Sequence, residues 1–545
     1  MCIRDRFLFT ADRGGNELNH LYVQTPDGAV TDLTPGENVK ATFAGWTDDR
    51  RSFLVATNER DPRYFDLYQY DAGTYDRTML YRNEEGMDPG AISPDLRRIA
   101  LNKSNTTNDS DIWLLDRETG ETTHLTPHEG DQANAARTFS PDGRSLYFTS
   151  DEGSEYQRLV RYDLESGTRE VVYEPGWDVW FAYFSEDDRY FVTGANVDAR
   201  TEVVVRDAET MEAIELPALP EADITGVTFS RDDRRMAFYA SGSRFPQDLF
   251  VHEVGTDAVT RLTSNLNPEI DPENLVDGRV ARFASFDGME VPGILYLPHQ
   301  ASVAEPVPGL VWVHGGPGGQ SRIGYSSVIQ YLVNHGYAVY AINNRGSSGY
   351  GKTFFKADDR VHGDADLDDV VTSKRLLAST GLVDPDRIGI IGGSYGGYMT
   401  LAALTFRPEA FEAGVDLFGI SNWVRTLESI PPWWESFRDA LYTEMGHPEE
   451  DREMLLAKSP LFHADSIRRP LMVLQGANDP RVLKVESDDI VEAVRANGVP
   501  VEYVVFDDEG HGFVKKENQL RGYEAVLRFL DEHVKKVEPA ETAAP

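Results

Sequence analysis

The chain has 545 residues, of which 40% are hydrophobic, 26% charged and 11% aromatic, a globular composition that excludes a disordered chain. Acidic residues number 91 against 53 basic ones, a net charge of −38, which excludes nucleic acid as a partner and disfavours anionic membrane surfaces. No apolar run is long enough for a transmembrane helix, and the single cysteine, Cys2, excludes an intramolecular disulfide framework.

Lysine is scarce: the first 350 residues hold only Lys40 and Lys103. Such an acidic surface fits either a salty habitat or a generic acidic protein, and it says nothing about a reaction. Residues 1–6 run straight into a strand-like stretch at 7–10 with no secretory signal ahead of it. The expectation is that the native N-terminus is missing and that residues 1–6 are foreign. Cytoplasmic and periplasmic locations then stay equally open.

A turn phrase recurs through the first half. It reads Gly45-Trp46-Thr47-Asp48-Asp49, Ile92-Ser93-Pro94-Asp95, Phe139-Ser140-Pro141-Asp142-Gly143, Phe184-Ser185-Glu186-Asp187-Asp188 and Phe229-Ser230-Arg231-Asp232-Asp233. The anchor hydroxyls fall at 47, 93, 140, 185 and 230, so the gaps are 46, 47, 45 and 45. Hydroxyls and Asp bond nearby amides, and Pro fixes one φ, so each phrase builds a turn. Alternating strands keep the same beat, such as Asp66-Leu67-Tyr68-Gln69-Tyr70-Asp71 and Asp111-Ile112-Trp113-Leu114-Leu115-Asp116. Short strands at this period, without helices, predict a β-propeller with four strands per blade over residues 1–272. Six blades are visible, and the first is expected to be incomplete. The beat stops near Asn265, and residues 273–279 read as a linker.

From 280 to 537 strands and helices alternate. Strands are predicted at 310–313, 337–342, 387–391, 471–474 and 501–506, and helices at 366–379, 398–406, 485–497 and 519–534. This predicts a mostly parallel, doubly wound sheet covered on both faces, with its chemistry at the carboxyl ends of the strands. Residues 538–545 read as a flexible tail.

Three strand ends carry one chemistry. Gly392-Gly393-Ser394-Tyr395-Gly396 is G-x-S-x-G between a strand and a helix, the arrangement of an α/β-hydrolase nucleophile. Asp479 follows the next strand, in Gly476-Ala477-Asn478-Asp479-Pro480-Arg481-Val482. His511 follows the last, in Asp508-Glu509-Gly510-His511-Gly512. A serine hydroxyl needs an imidazole to take its proton, and the imidazole needs a carboxylate to fix its tautomer. The order Ser, Asp, His is that of α/β-hydrolases. His314-Gly315-Gly316-Pro317-Gly318-Gly319 after the strand 310–313 supplies an oxyanion amide. The expected donors are Gly316 N–H and Tyr395 N–H. His362-Gly363-Asp364-Ala365-Asp366-Leu367-Asp368-Asp369 looks like a metal cluster, but its acids are read as capping and charging the helix that follows. No metal or organic cofactor is expected.

A propeller followed by a hydrolase with these motifs resembles the prolyl oligopeptidase family of serine peptidases over nearly the whole chain. Asn344-Arg345-Gly346-Ser347-Ser348-Gly349-Tyr350-Gly351 and His314-Gly315-Gly316-Pro317 look closest to its acylaminoacyl-peptidase branch. The resemblance implies a serine peptidase acting on short peptides through an acyl-enzyme, of acylaminoacyl-, dipeptidyl- or oligopeptidase type. It implies that Arg481 binds a substrate carbonyl, or else forms a structural ion pair. Trp423 falls where the dipeptidyl peptidases place a pocket aromatic, and Trp433, Trp434 and Tyr442 lie nearby as further candidates, with core packing as the other reading. His314 stands where some oligopeptidases carry an oxyanion tyrosine, so the hole should rest on backbone amides. Glu84-Glu85 is a candidate pair for holding a free N-terminus, with a solvated turn as the plainer reading. The alternatives are a carboxylesterase on small acyl esters and a catalytically silent propeller that serves as an interaction scaffold. The expected partner is a short peptide, without nucleic acid or membrane, and a homo-oligomer is left open.

Overall fold

The structure is a computed structural model that describes residues 2–3, 6–217 and 222–537. Met1, two other residues of the expected foreign start and the expected tail at 538–545 lie outside the described residues. The chain forms two compact units: Met1–Gly194 with Val205–Ala213 and Ser429–Glu444, and Ala195–Val204 with Ile214–Glu428 and Met445–Pro545.

Among the described residues six small antiparallel sheets occupy the first half, the β-propeller. Five have four strands each, among them the first, whose opening strand Cys2–Ile3 is only two residues long. Three strands, Asp178–Phe184, Tyr190–Val197 and Arg200–Asp207, make the fifth. The recurring turn phrase does what its residue types dictate. Ser140 Oγ donates to Asp142 Oδ1 at 2.6 Å and accepts from Ser145 N at 2.9 Å, so the hydroxyl closes the turn between two strands. Ser93 and Ser230 repeat this geometry. Successive side chains point to opposite faces, and the inner strands bury both: Ile99 and Leu101 pack with Leu54, Leu67 and Leu80 on one side, and Ala100 on the other. Ala100, Ile112, Ala136, Leu146, Phe148 and Val160 thus form one cluster from the third and fourth sheets.

The second half builds an eight-stranded sheet. Its strands are β1 (Arg279–Ala284), β2 (Glu290–Tyr296), β3 (Val307–Val313), β4 (Ala338–Ile342), β5 (Val383–Gly393), β6 (Gly414–Leu417), β7 (Leu471–Gly476) and β8 (Val501–Phe506), in the order β1-β2-β4-β3-β5-β6-β7-β8. The first two strands pair antiparallel, and the run from β4 to β8 is parallel. Helices α1 (Ser327–Asn334), α2 (Ala365–Ser379), α3 (Tyr395–Phe406), α4 (Lys484–Ala496) and α5 (Lys516–Leu530) accompany it. Both faces are covered, and β7 shows why its run is wholly apolar. Leu471 and Val473 pack with Leu401, Leu404, Ile490 and Val494, while Met472 and Leu474 pack with Leu310, Ile391, Val526 and Phe529 on the other face.

The packed units do not follow the linker at 273–279. Gln330 of α1 donates to Ser243 O at 2.8 Å and to Val276 O at 2.7 Å, which ties the sixth small sheet to the second unit. The linker region itself holds a single 3-10 turn, Pro272–Asn274, capped by the Asp271 carboxylate. No helix among the described residues is long and apolar enough to cross a membrane.

Candidate active site

The turn between β5 and α3 is held in a conformation L-residues avoid. Ser394 has φ 59° and ψ −118°; such a backbone costs about 1–3 kcal/mol and persists only because its surroundings enforce it. Glycines allow the crowding: a Cβ on Gly396 would strike the Val313 carbonyl, and one on Gly392 would strike that of Gly396. Ser394 N donates to Leu417 O at 2.9 Å, which anchors the turn to the end of β6. Helix α3 then starts at Tyr395, and its first-turn amides have no partner within the helix. These amides and the helix dipole favour negative charge at this point.

The loops after β7 and β8 bring Asp479 and His511 together. His511 Nδ1 lies 2.7 Å from Asp479 Oδ2, and the carboxylate is fully buried. Asp479 Oδ1 accepts from Arg481 N and Val482 N, each at 2.9 Å. An acid held this way fixes the imidazole with its proton on Nδ1, leaving Nε2 as the acceptor. The histidine loop is pinned from below by Glu509, also fully buried, which accepts from Val514 N, Lys515 N and Asn518 Nδ2.

The glycine loop after β3 lies against the serine. A Cβ on Gly315 would sit 3.5 Å from Ser394 Cβ and 3.4 Å from Gly393 O, so Gly316 follows directly at the serine turn. The half-buried His314 ring lies between Gly315 O and Ser347 Oγ, each 2.8 Å away, and desolvation holds it below its ordinary range.

Other expected residues are more dispersed. Arg481 is exposed on the Asp479 loop. Trp423 is buried at 2% exposure, with Tyr398 at 4.9 Å and Tyr395 at 6.1 Å between ring centroids, so it packs as core behind the serine turn. Tyr442 belongs to the first unit, on the helix Glu435–Met445, with the Arg438 guanidinium 5.9 Å from its ring. Glu84 and Glu85 are exposed, and Glu84 pairs with Arg82 at 3.0 Å. Their loop continues into Gly86, where a Cβ would lie 3.5 Å from Ser436 of the same helix.

The acidic stretch at 362–369 keeps part of the capping reading: Asp366 and Asp368 lie in the first turn of α2 and Asp366 Oδ1 accepts from Leu367 N, but the N-cap itself is not closed by a side chain. Asp364 precedes α2 without a side-chain cap bond and points outward toward Lys458 at 3.4 Å. Asp366 and Asp369 are fully buried. Asp369 pairs with Arg345 through both carboxylate oxygens, at 2.9 Å each. Asp366 Oδ2 accepts the Tyr395 hydroxyl, and His362 Nδ1 meets the same hydroxyl at 2.7 Å. Burial pushes Asp366 up to about 6 and His362 down to about 3. Donor atoms of Asp358, His362 and Asp366 lie within 4.8 Å of one another, close enough to surround a cation. In this structure the Tyr395 hydroxyl bridges the histidine and Asp366.

Two further residues at the site carried no sequence signal. Phe418, at φ 44°, follows β6 and donates its amide to Leu474 O. Its ring lies 4.7 Å from that of His511 and would meet a Cβ on Gly393 at 3.2 Å, so it spans the serine and histidine loops. Asp416 is fully buried beside Gly397 and Gly419, and burial pushes it up to about 7 against the pull of the Gly419 amide.

Comparison with known proteins identifies the fold's family. Residues 323–537 match the model of the prolyl oligopeptidase family. Dipeptidyl aminopeptidase BIII of Pseudoxanthomonas mexicana is 34% identical over 527 residues, covering 94% of this chain and 76% of the relative. The chain belongs to the prolyl oligopeptidase family. It is a serine-type peptidase, and its substrates are peptides. The acylamino-acid-releasing enzyme of Arabidopsis thaliana is 27% identical over 227 residues, covering 41% of this chain and 30% of that protein. The propeller-plus-hydrolase fold of the family recurs in the structure of a puromycin-hydrolyzing peptidase of Mycobacterium tuberculosis. That structure has TM-score 0.82 at 21% identity, over 97% of this chain and 86% of that one.

Proposed function

We propose that Ser394, Asp479 and His511 are the catalytic triad of a peptidase that removes dipeptides from short peptides with a free N-terminus. The observation that carries the triad is the Asp479–His511 hydrogen bond at 2.7 Å, together with a serine on a strained turn at a helix start. Ser394 Oγ attacks the scissile carbonyl carbon while His511 Nε2 takes its proton. The carbonyl oxygen gains the negative charge and is held by Gly316 N–H and Tyr395 N–H. The intermediate collapses, the C–N bond breaks, and His511 returns the proton to the departing amine. Water repeats the sequence on the acyl-enzyme and frees Ser394. In this reading Arg481, exposed on the Asp479 loop, binds a substrate carbonyl.

The dipeptide specificity is supported by the name of the relative that matches 94% of the chain at 34% identity. A panel of chromogenic substrates tests it: free dipeptidyl, N-acylated and blocked internal-proline peptides, with an ester of the same acyl group. Fastest turnover on free dipeptidyl substrates is expected, and preference for the N-acyl or ester substrate would overturn it. Ser394→Ala should lower kcat by about 10⁶. Near-normal hydrolysis by that variant would overturn the triad.

A further inference from the structure

The residues at 362–366 form a buried polar group that the reaction above does not use. His362, Asp366 and Tyr395 are all buried to 2% exposure or less. The Tyr395 hydroxyl donates to Asp366 Oδ2, so its oxygen must accept from His362 Nδ1–H at 2.7 Å. Asp366 Oδ1 accepts in turn from Leu367 N at 2.8 Å, which locks the carboxylate to the first turn of α2. The phenol is therefore held by two groups, His362 just ahead of α2 and Asp366 in its first turn. A phenylalanine would fill nearly the same volume without these bonds. Buried polar networks add little net stability over apolar packing, but they do fix direction.

Direction matters at this residue because Tyr395 immediately follows Ser394. The peptide N–H between them is the proposed oxyanion donor, and its orientation depends on Ser394 ψ and on where Tyr395 is held. Ser394 is strained and would relax if its neighbours allowed it. Two restraints act on the turn from the sheet: Ser394 N to Leu417 O, and the contact of Gly396 with the Val313 carbonyl. The phenol supplies the third, from the helix side.

We propose that His362 and Asp366 are positioning residues that hold the Tyr395 phenol and thereby aim the Tyr395 amide at the oxyanion. The proposal rests on the triad reading above. Its test is steady-state kinetics of Tyr395→Phe, Asp366→Asn and the double variant, normalised to sites titrated with a fluorophosphonate, beside thermal melts. A small misplacement of an oxyanion donor costs up to about 10²-fold. Each single variant should therefore lose about 10- to 100-fold in kcat with little change in KM. The double variant should be no slower than Tyr395→Phe alone, because Asp366 acts only through the hydroxyl. Asp364→Asn, altered at the exposed neighbour, should keep the parent kcat.

A fall in melting temperature with kcat intact, a change confined to KM, or additive losses in the double variant would each overturn the proposal. So would activity lost on chelation and restored by Zn²⁺ or Mn²⁺, since the cluster would then hold a cation. Ser394→Ala separates the two levels. If that variant is active, the triad reading fails. If it is inactive while Tyr395→Phe keeps full kcat, only the positioning role fails.

Discussion

At the scale of single residues, Asp479 divides its two oxygens between two tasks. Oδ1 accepts two backbone amides and Oδ2 accepts the imidazole. In Asp479→Asn the carbonyl oxygen must take the Oδ1 place, because both amides there are donors. The new NH₂ then faces His511 Nδ1, which can meet it only as an acceptor. The ring proton moves to Nε2, and the base can no longer receive the serine proton. Turnover should fall by about 10⁴ with the fold unchanged, read as kcat beside an unaltered melting curve. A variant retaining more than a tenth of kcat would refute the role. The proposed triad is legible in sequence because each member sits on a short glycine-flanked motif at a predicted strand end. The Tyr395 network was not legible, since its partners lie 29 and 33 positions away and nothing local tells which acids of 364–369 face inward. Helix phase decides that: Asp364 is exposed, whereas Asp366 and Asp369 are buried. Phe418 was missed for another reason. Its positive φ accompanies a ring packed between the serine and histidine loops and an amide bonded to Leu474 O of β7, and no residue preference announces it.

At the scale of the element, the third small sheet (Asp88–Ile92, Arg98–Thr106, Asp109–Asp116, Glu121–His124) is joined to the loop that follows it by a histidine. His128 Nδ1 lies 2.7 Å from Thr126 O, and Nε2 lies 2.7 Å from Asp109 Oδ1. Both ring nitrogens face acceptors, which only the imidazolium satisfies in full. Burial works against the charge, but the carbonyl and the carboxylates of Asp109 and Asp111 outweigh it, and the folded-state pKa is raised above 6.5. A raised pKa adds stability that is complete below the unfolded value and is lost as pH rises through the folded one. Exchanging the ring for a neutral amide in His128→Asn should therefore lower the melting temperature most near pH 6. The gap to the parent should close toward pH 8.5. A constant gap across that window would mean that packing alone is at stake. The turn phrases were read correctly at this scale because Ser, Asp and Gly act within five residues. The grouping of residues 429–444 with the first unit was not, because it depends on contacts such as Trp433 with Lys40, 5.2 Å from cation to ring.

At the scale of the whole molecule the dominant quantity is charge. The difference 91 − 53 leaves 38 acidic groups without a basic counterpart. Many arginines are already engaged, as in Arg97 with Asp116 and Glu118, both at 2.8 Å. Exposed pairs of this kind are each worth at most about 1 kcal/mol and are weakened by salt. The unpaired excess repels itself, and that repulsion is screened by the same salt. The two effects have opposite signs, so the salt dependence of stability tells which is larger. Screening lengths fall from about 30 Å at 0.01 M to about 10 Å at 0.1 M. Repulsion among many scattered carboxylates acts over that range, whereas an ion pair at 3 Å is only partly screened. The melting temperature should therefore rise between about 20 mM and 500 mM NaCl, as followed by calorimetry at pH 7.5. At pH 5, nearer the isoelectric point of 4.6, the net charge is smaller and the same salt step should produce a smaller rise. A fall with salt at pH 7.5 would show that the arginine pairs outweigh the acidic excess.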